Sequence, residues 1–316
     1  MPSSSDAQKP ESPDAQKPRC PEDPEVHLSR TLLYNENTPG VFVIIDKISL
    51  NEVARFTSEE FHSLHTINAF ESKKENENSS NLIYFDSLRF YRNAYDAFLF
   101  PIMNVTGDEL LDNYARMMSH PKPIRISLDL GQKKSSDDTP LKAIISEEVF
   151  NNAKDNQNWP AYMANGMDFP SVRPSEKGIS YDEFYSSGQD SFLVGRVYKS
   201  KYSTMERWVW HEVGYHCAET AVVERPEDFE GDFNDSTQTL VITVCTPFSD
   251  DTGNAFFVVL DENLKELGRA YLPDGVKVPA TLHTTFIPRS VEEKSENSAS
   301  SVSFCLALIF LCKLFL

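Results

Sequence analysis

Cysteine is scarce in this chain: five residues in 316, at Cys20, Cys217, Cys245, Cys305 and Cys312, with no CxxC pair. That usage argues against a structural zinc site and offers too few, too scattered thiols for a disulfide framework. It fits a reducing, intracellular setting. Positive charge is also short: 30 Lys and Arg stand against 48 Asp and Glu, a formal net charge of −18. Phosphate recognition needs a basic stripe and none is visible, so nucleic acid is not expected as a partner and the charge reads as solubility. GxGxxG, Walker A, HExxH and GxSxG motifs are absent. Rossmann, P-loop, zincin and α/β-hydrolase readings therefore lose their main support. No apolar run opens the chain, so no signal peptide is expected. The location then reads as cytoplasmic or membrane-associated, and the sequons at Asn78, Asn104 and Asn234 read as chance matches.

What is present divides into three parts. Residues 1–25 are Pro-rich and repeat DAQKP at Asp6–Pro10 and Asp14–Pro18. With few apolar side chains to offset the ordering entropy, this leader is expected to be disordered. Residues 26–290 read as mostly β, in short runs bounded by Gly, Pro, Asn or Asp. VFVIID, NLIYFD, IRISLDL, SFLVGRVY, RWVWHE, TLVITVCT, AFFVVLD and ELGRAYL are the expected strands. IRISLDL and RWVWHE alternate, as half-buried antiparallel strands do, whereas TLVITVCT and AFFVVLD are near-continuous, as strands covered on both faces are. One helix is expected, in GDELLDNYARMMSH, where Leu110, Leu111, Tyr114, Met117 and Met118 share a face. Residues 291–316 are a polar linker and an apolar tail, VSFCLALIFLCKLFL. A helix of that tail spans roughly 22 Å, short of a hydrocarbon core of about 30 Å. A short anchor, an interfacial segment, a GPI signal and a sequence artefact all stay open for it. Many short strands suggest a sandwich, a barrel or a propeller, and composition does not choose among them.

Two of the seven histidines have a distinctive setting. His65 lies in FHSLHTINAFES, within H-x-x-N-A-x-E, and His283 lies in the apolar, strand-like VPATLHTTFIP. His27, His62, His120, His211 and His216 read as ordinary exposed or hydrogen-bonded residues.

The order FHSLHTINAFE, GMDFPSV, WVWHEVGYHCAETAVVERP and NAFFVVLDENLKELGRAYLPDGVKVPATLHTTFIP is similar to the carotenoid cleavage oxygenase family, over roughly residues 38–290 and only to the family's C-terminal half. The resemblance implies an all-β fold, part of a seven-bladed β-propeller, comprising about the C-terminal half of the blades with one inserted short helix. It implies iron held by four histidines, with glutamates hydrogen-bonded to the histidine ligands. By residue, His65 matches the histidine of F-H-x-x-N-A-x-E and His283 that of the terminal F-H-G, so both are the implied metal ligands. Glu219 matches the glutamate of P-S-E-P and Asp168 that of E-F-P. The chain departs from the pattern at Leu64 and Leu282, where the family has phenylalanine, and at Thr284, where it has glycine. Asp168 is one methylene short of glutamate, so its bond to a histidine is expected to need a shift or a bridging water.

The resemblance further implies Fe(II) as cofactor, with O2 and a carotenoid, apocarotenoid or retinoid as substrates; membrane-surface association is an expectation from the apolar tail. Neutral imidazoles suit Fe(II), and carboxylates behind them fix their tautomer. A polyene would need an apolar tunnel, to which the 21 Phe and 12 Tyr could contribute. Only two of the four ligand motifs have a match, so the first expectation is a shortened, inactive form of an iron oxygenase. The alternatives are a non-catalytic propeller fragment binding a lipid or partner protein, tail-anchored in one version, and an unrelated β-sandwich binding module.

Overall fold

The computed structural model describes residues 37–72, 81–90, 121–132, 140–152, 167–188, 194–225, 239–247, 253–276, 278 and 283–287. The Pro-rich leader, the helix expected at 107–120 and the apolar tail lie outside them. Among the described residues there is no α-helix and no helix long and apolar enough to cross a membrane.

The strands fall into four sheets. The first joins β1 (Val41–Ile45), β2 (Glu52–Thr57) and β6 (Leu141–Lys142). The second runs β3 (Thr66–Glu71), β4 (Leu82–Arg89), β5 (Lys122–Asp129), β7 (Ile144–Glu147). The third orders β8 (Asn151–Asn152), β12 (Glu206–Val213), β11 (Val194–Lys201), β10 (Glu183–Gly188) and β9 (Met167–Ser171). The fourth orders β13 (Tyr215–Cys217), β15 (Thr239–Pro247), β16 (Phe256–Asp261) and β17 (Glu266–Tyr271), and β14 (Ala221–Glu224) also pairs with β15. All pairings are antiparallel except β2 with β6 and β8 with β12.

Three apolar layers glue the sheets in series. Phe56 and Leu141 of the first meet Ile124, Ile126 and Leu128 of the second. Ile67, Phe70 and Leu88 of the second meet Met167, Phe184 and Tyr198 of the third. Tyr185 and Val197 of the third meet Val241, Phe256, Val258 and Leu260 of the fourth. Twisted antiparallel sheets stacked face on face in this way are propeller-like, and the expected all-β class holds.

Burial follows the sequence pattern in part. β5 alternates as expected, with Ile124, Ile126 and Leu128 buried and Arg125 and Ser127 partly open. β15 is buried on both faces from Val241 to Cys245, with β13 and β14 paired along one edge and β16 along the other. β16 differs from its expected two-sided burial: Phe256, Val258 and Leu260 are buried, while Phe257, Val259 and Asp261 are partly open. Its outer neighbour β17 is mostly exposed, so one face of the hairpin meets solvent.

One polar cluster ties the second sheet to the third. Asp86, fully buried on β4, accepts both arms of the Arg125 guanidinium at 2.9 and 2.8 Å and the Tyr181 hydroxyl at 2.7 Å. Arg125 in turn lies over the Tyr202 ring, 4.6 Å from its centre. Within the fourth sheet the cysteine reading is corrected: Cys217 and Cys245 form a disulfide. They are 28 residues apart in sequence but directly opposite on β13 and β15, with Cα atoms 4.1 Å apart. Gly195 of β11 makes room for it, since a Cβ there would overlap Cys217 Sγ.

Candidate metal centre

Three of the four candidate residues sit at or beside an edge strand. β3, β9 and β13 are the edge strands of three successive sheets. His65 directly precedes β3, Asp168 is on β9, and Glu219 follows β13.

The His65 main chain is held firmly. Its carbonyl oxygen accepts the Ser63 hydroxyl at 3.1 Å, the Ser87 hydroxyl at 2.9 Å and the Leu88 amide at 3.2 Å. Its Nδ1 lies 2.7 Å from Asp168 Oδ1, and Asp168 is buried. An ionised carboxylate only accepts, so Nδ1 carries the proton and Nε2 keeps its lone pair. Burial alone pulls the His65 pKa down, but the hydrogen bond and charge of Asp168, with the charge of Glu219 behind them, outweigh it and hold it above the ordinary 6.5.

Of the two expectations for Asp168, a shift or a water, the water is not needed: the bond is direct, and a bulge accompanies it. On β9 and β10, Asp168 pairs with Ser187 and Ser171 with Tyr185, so Phe169 and Pro170 together face Ser186. Phe169 takes φ +52°. Such a left-handed backbone costs a bulky residue about 1–2 kcal/mol, and bulges of this kind re-aim side chains. Here consecutive residues reach the same imidazole: Asp168 by its carboxylate, Phe169 by its ring, whose centre is 4.8 Å from that of His65.

His283 is placed differently from its sequence expectation. Residues 283–287 form no strand, although the sequence there is strand-like. His283 is instead moored to Glu219, whose Oε2 lies 3.1 Å from His283 Nδ1 and also accepts the Thr284 amide at 3.1 Å. Thr284, standing where the resemblance has glycine, adds a hydroxyl bond to the Glu219 main-chain oxygen at 2.7 Å. Neighbouring Ala218 offers its carbonyl oxygen to Ser187 at 2.6 Å and Thr243 at 2.8 Å, both buried. The His283 side chain is 63% exposed, which leaves its outer face open to a further group.

The two rings converge, their centres 5.3 Å apart at an interplanar angle of 69°. With metal–nitrogen bonds of about 2 Å, imidazoles sharing one ion have centres roughly 4.5–5.5 Å apart. Both rings also have Nδ1 engaged by a carboxylate. The pair therefore fits two positions of a metal site. Among the described residues no group of three or more His, Cys, Asp or Glu side chains could hold an ion. A cavity of about 340 Å³ is lined by Phe70, Ser72, Tyr84, Arg125, Ser180 and Tyr181, and none of the four candidate residues borders it.

Sequence reasoning assigned no role to Asn68, Phe169 or Ser187. Asn68 is the asparagine of H-x-x-N-A-x-E. Its side chain bonds the Glu176 and Ile179 carbonyls and the Gly178 amide, pinning the turn after β9 to β3. Its fixed place in that motif was the available signal. Phe169 and Ser187 carry none, because a bulge and a buried hydroxyl leave no periodicity.

The comparisons bear on this geometry. The family model of retinal pigment epithelial membrane protein matches residues 21–288. No curated protein sequence matches. Among solved structures, a variant of Synechocystis apocarotenoid oxygenase superposes with a TM-score of 0.54 at 15% identity, covering 79% of this chain and 44% of that one. A cobalt-substituted form of the Synechocystis enzyme gives 0.53 at 15%, covering 79% and 44%. Lignostilbene dioxygenase of Pseudomonas brassicacearum gives 0.55 at 14%, covering 81% and 48%. The chain thus spans less than half the length of these structures, and the likeness to them is one of fold. With the family match running over most of its length, the chain belongs to the retinal pigment epithelial membrane protein family, the carotenoid cleavage oxygenases.

Proposed function

We propose that this chain carries part of the iron centre of an oxygenase that cleaves a conjugated double bond of a carotenoid, an apocarotenoid or a related retinoid. The observation that carries the reading is the convergence of His65 and His283, each with Nδ1 bound to a carboxylate and Nε2 left as the available donor. Family membership and the fold shared with an apocarotenoid oxygenase and a lignostilbene dioxygenase support the reaction class.

In this reading His65 and His283 hold Fe(II), and Asp168 and Glu219 hold the imidazoles. Bound Fe(II) supplies the activation of O2 for insertion across the double bond. The chain's own contribution is orientation. Asp168 keeps the Nδ1 proton of His65 in place and so presents a neutral nitrogen donor. Glu219, fixed by Thr284, does the same for His283. The buried Phe169 packs its ring against both imidazoles. Two imidazoles are half the set the resemblance implies, so this chain alone is expected to bind iron weakly, because affinity depends on a preformed cage.

Membrane-surface association belongs to the same proposal. The β1–β2 hairpin leaves Val41, Ile45, Ile48, Leu50 and Val53 exposed, an apolar surface beside which an apolar substrate could be taken up.

The test is Co(II) and Fe(II) titration of the intact chain, His65→Ala and His283→Ala, with polyene cleavage assayed alongside. Weak, substoichiometric uptake that disappears in both variants supports the reading. Uptake unchanged in the variants ends the ligand assignment, and tight stoichiometric iron in the chain overturns the half-cage view.

A further inference from the structure

Among the described residues, the bulge at Phe169 has no packing explanation away from the two histidines. Phe169 is 4% exposed, yet it belongs to none of the three apolar clusters formed by the described residues. Its ring contacts there are the two imidazoles, with centres 4.8 Å from His65 and 5.3 Å from His283. Together with the 5.3 Å between the imidazoles this makes a near-equilateral triangle of rings. Phe169 meets His283 edge to face, at 90°.

The backbone beneath is an unfavourable place for such a residue. A φ of +52° suits glycine, and bulky side chains there are outliers. Pro170 follows, and the residue before a proline is pressed toward extended backbone. A relaxed sequence would put glycine at the bulge. Leu50, Met205 and Leu264 take a similar φ in the turns between strands, whereas Phe169 does so inside a strand pairing, and strained residues cluster at functional sites.

We propose that Phe169 is a positioning residue of the metal site, a wedge that sets the angle between His65 and His283. The idea rests on the reading of those histidines as ligands. The bulge turns the Phe169 ring to the same side as the Asp168 carboxylate, so one imidazole is gripped at its Nδ1 edge and on its flank. The same ring limits how far the exposed His283 can swing. Its apolar face keeps water from competing for the His65–Asp168 hydrogen bond. No atom of Phe169 needs to touch an ion or a substrate.

The experiment compares the intact chain with Phe169→Tyr, Phe169→Leu and Phe169→Gly. Tyr keeps the ring, Leu keeps apolar bulk without it, and Gly relaxes the backbone while removing the wedge. Two readouts are taken: the His65 Nδ1 proton by NMR in metal-free protein, and Co(II) affinity by absorbance titration. Phe169→Leu and Phe169→Gly are expected to lose the proton signal to exchange with water and to bind Co(II) at least about tenfold more weakly, the loss typical of removing a group that supports a metal-binding histidine. Phe169→Tyr is expected to retain both. If Phe169→Leu keeps the proton signal and the affinity of the parent chain, the ring is only filler and the proposal is overturned. If the parent chain binds no Co(II), the ligand reading fails, while the proton signal across the four proteins still decides the role of Phe169. Should Phe169→Gly fail to fold, Phe169→Leu decides alone.

Discussion

Thr284 closes a ring with Glu219: its amide donates to Oε2 at 3.1 Å and its hydroxyl to the main-chain oxygen at 2.7 Å. The side chain that replaces the family's glycine thus ties the His283 segment to the β13–β14 connection. Thr284→Val removes the hydroxyl bond and keeps the shape. A loss of about 1 kcal/mol in urea unfolding is expected, together with broader His283 imidazole signals in NMR. Unchanged line widths would show that the amide bond alone suffices.

The raised pKa of His65 has a sign that can be checked. A group whose folded-state pKa lies above its unfolded value adds stability that is fully present below the unfolded pKa and is lost as pH rises through the folded one. The metal-free chain is therefore expected to hold a larger stability advantage over Asp168→Asn at about pH 5.5 than at about pH 8.5, measured by denaturant midpoints. Equal differences at both pH values would remove Asp168 as the cause of the shift.

Asp86 takes three hydrogen bonds from Arg125 and Tyr181 in a fully buried position. Asp86→Ala strands the guanidinium and the phenol between two sheets. The expected cost is about 3–5 kcal/mol, as for other buried pairs broken on one side. Arg125→Met with Asp86→Leu, which removes both charges, is expected to recover part of it. A single Asp86→Ala costing less than about 1 kcal/mol would mean that water replaces the pair.

The Cys217–Cys245 bond closes a loop of 28 residues two positions before Glu219. Chain-entropy arguments give such a cross-link about 3–4 kcal/mol. Cys217→Ser with Cys245→Ser is expected to lower unfolding stability by about that amount and to match the effect of reductant on the parent chain. If reductant leaves the parent's unfolding curve unchanged, the bond contributes nothing to stability.

Much of this was legible beforehand where one strand decides the outcome. TLVITVCT reads as doubly covered and is, because an unbroken β-branched run needs neighbours on both faces. IRISLDL alternates in sequence and in burial for the same local reason. His65 stood out through its spacing to Asn68, which turns out to bind the turn following β9. What was not legible depends on pairing at long range. Cys217 and Cys245 look scattered until β13 and β15 set them opposite one another. The two-residue β6 and β8 exist only because β2 and β12 supply a partner. TINAFE was read as a motif rather than a strand, since its alternation is broken by the buried Asn68. The bulge at Phe169 is invisible in MDFPS, because one surplus residue in a register leaves no mark in composition.

The edge strands β3, β9 and β13 come from three different sheets, and each delivers its share of the imidazole cluster. No single sheet owns the centre, so its shape is a readout of how neighbouring sheets are seated on one another. A sliding of one sheet by a fraction of a residue, too small to expose any core side chain, would already spread the rings apart. Competence for binding should then fade on heating before the strands themselves melt.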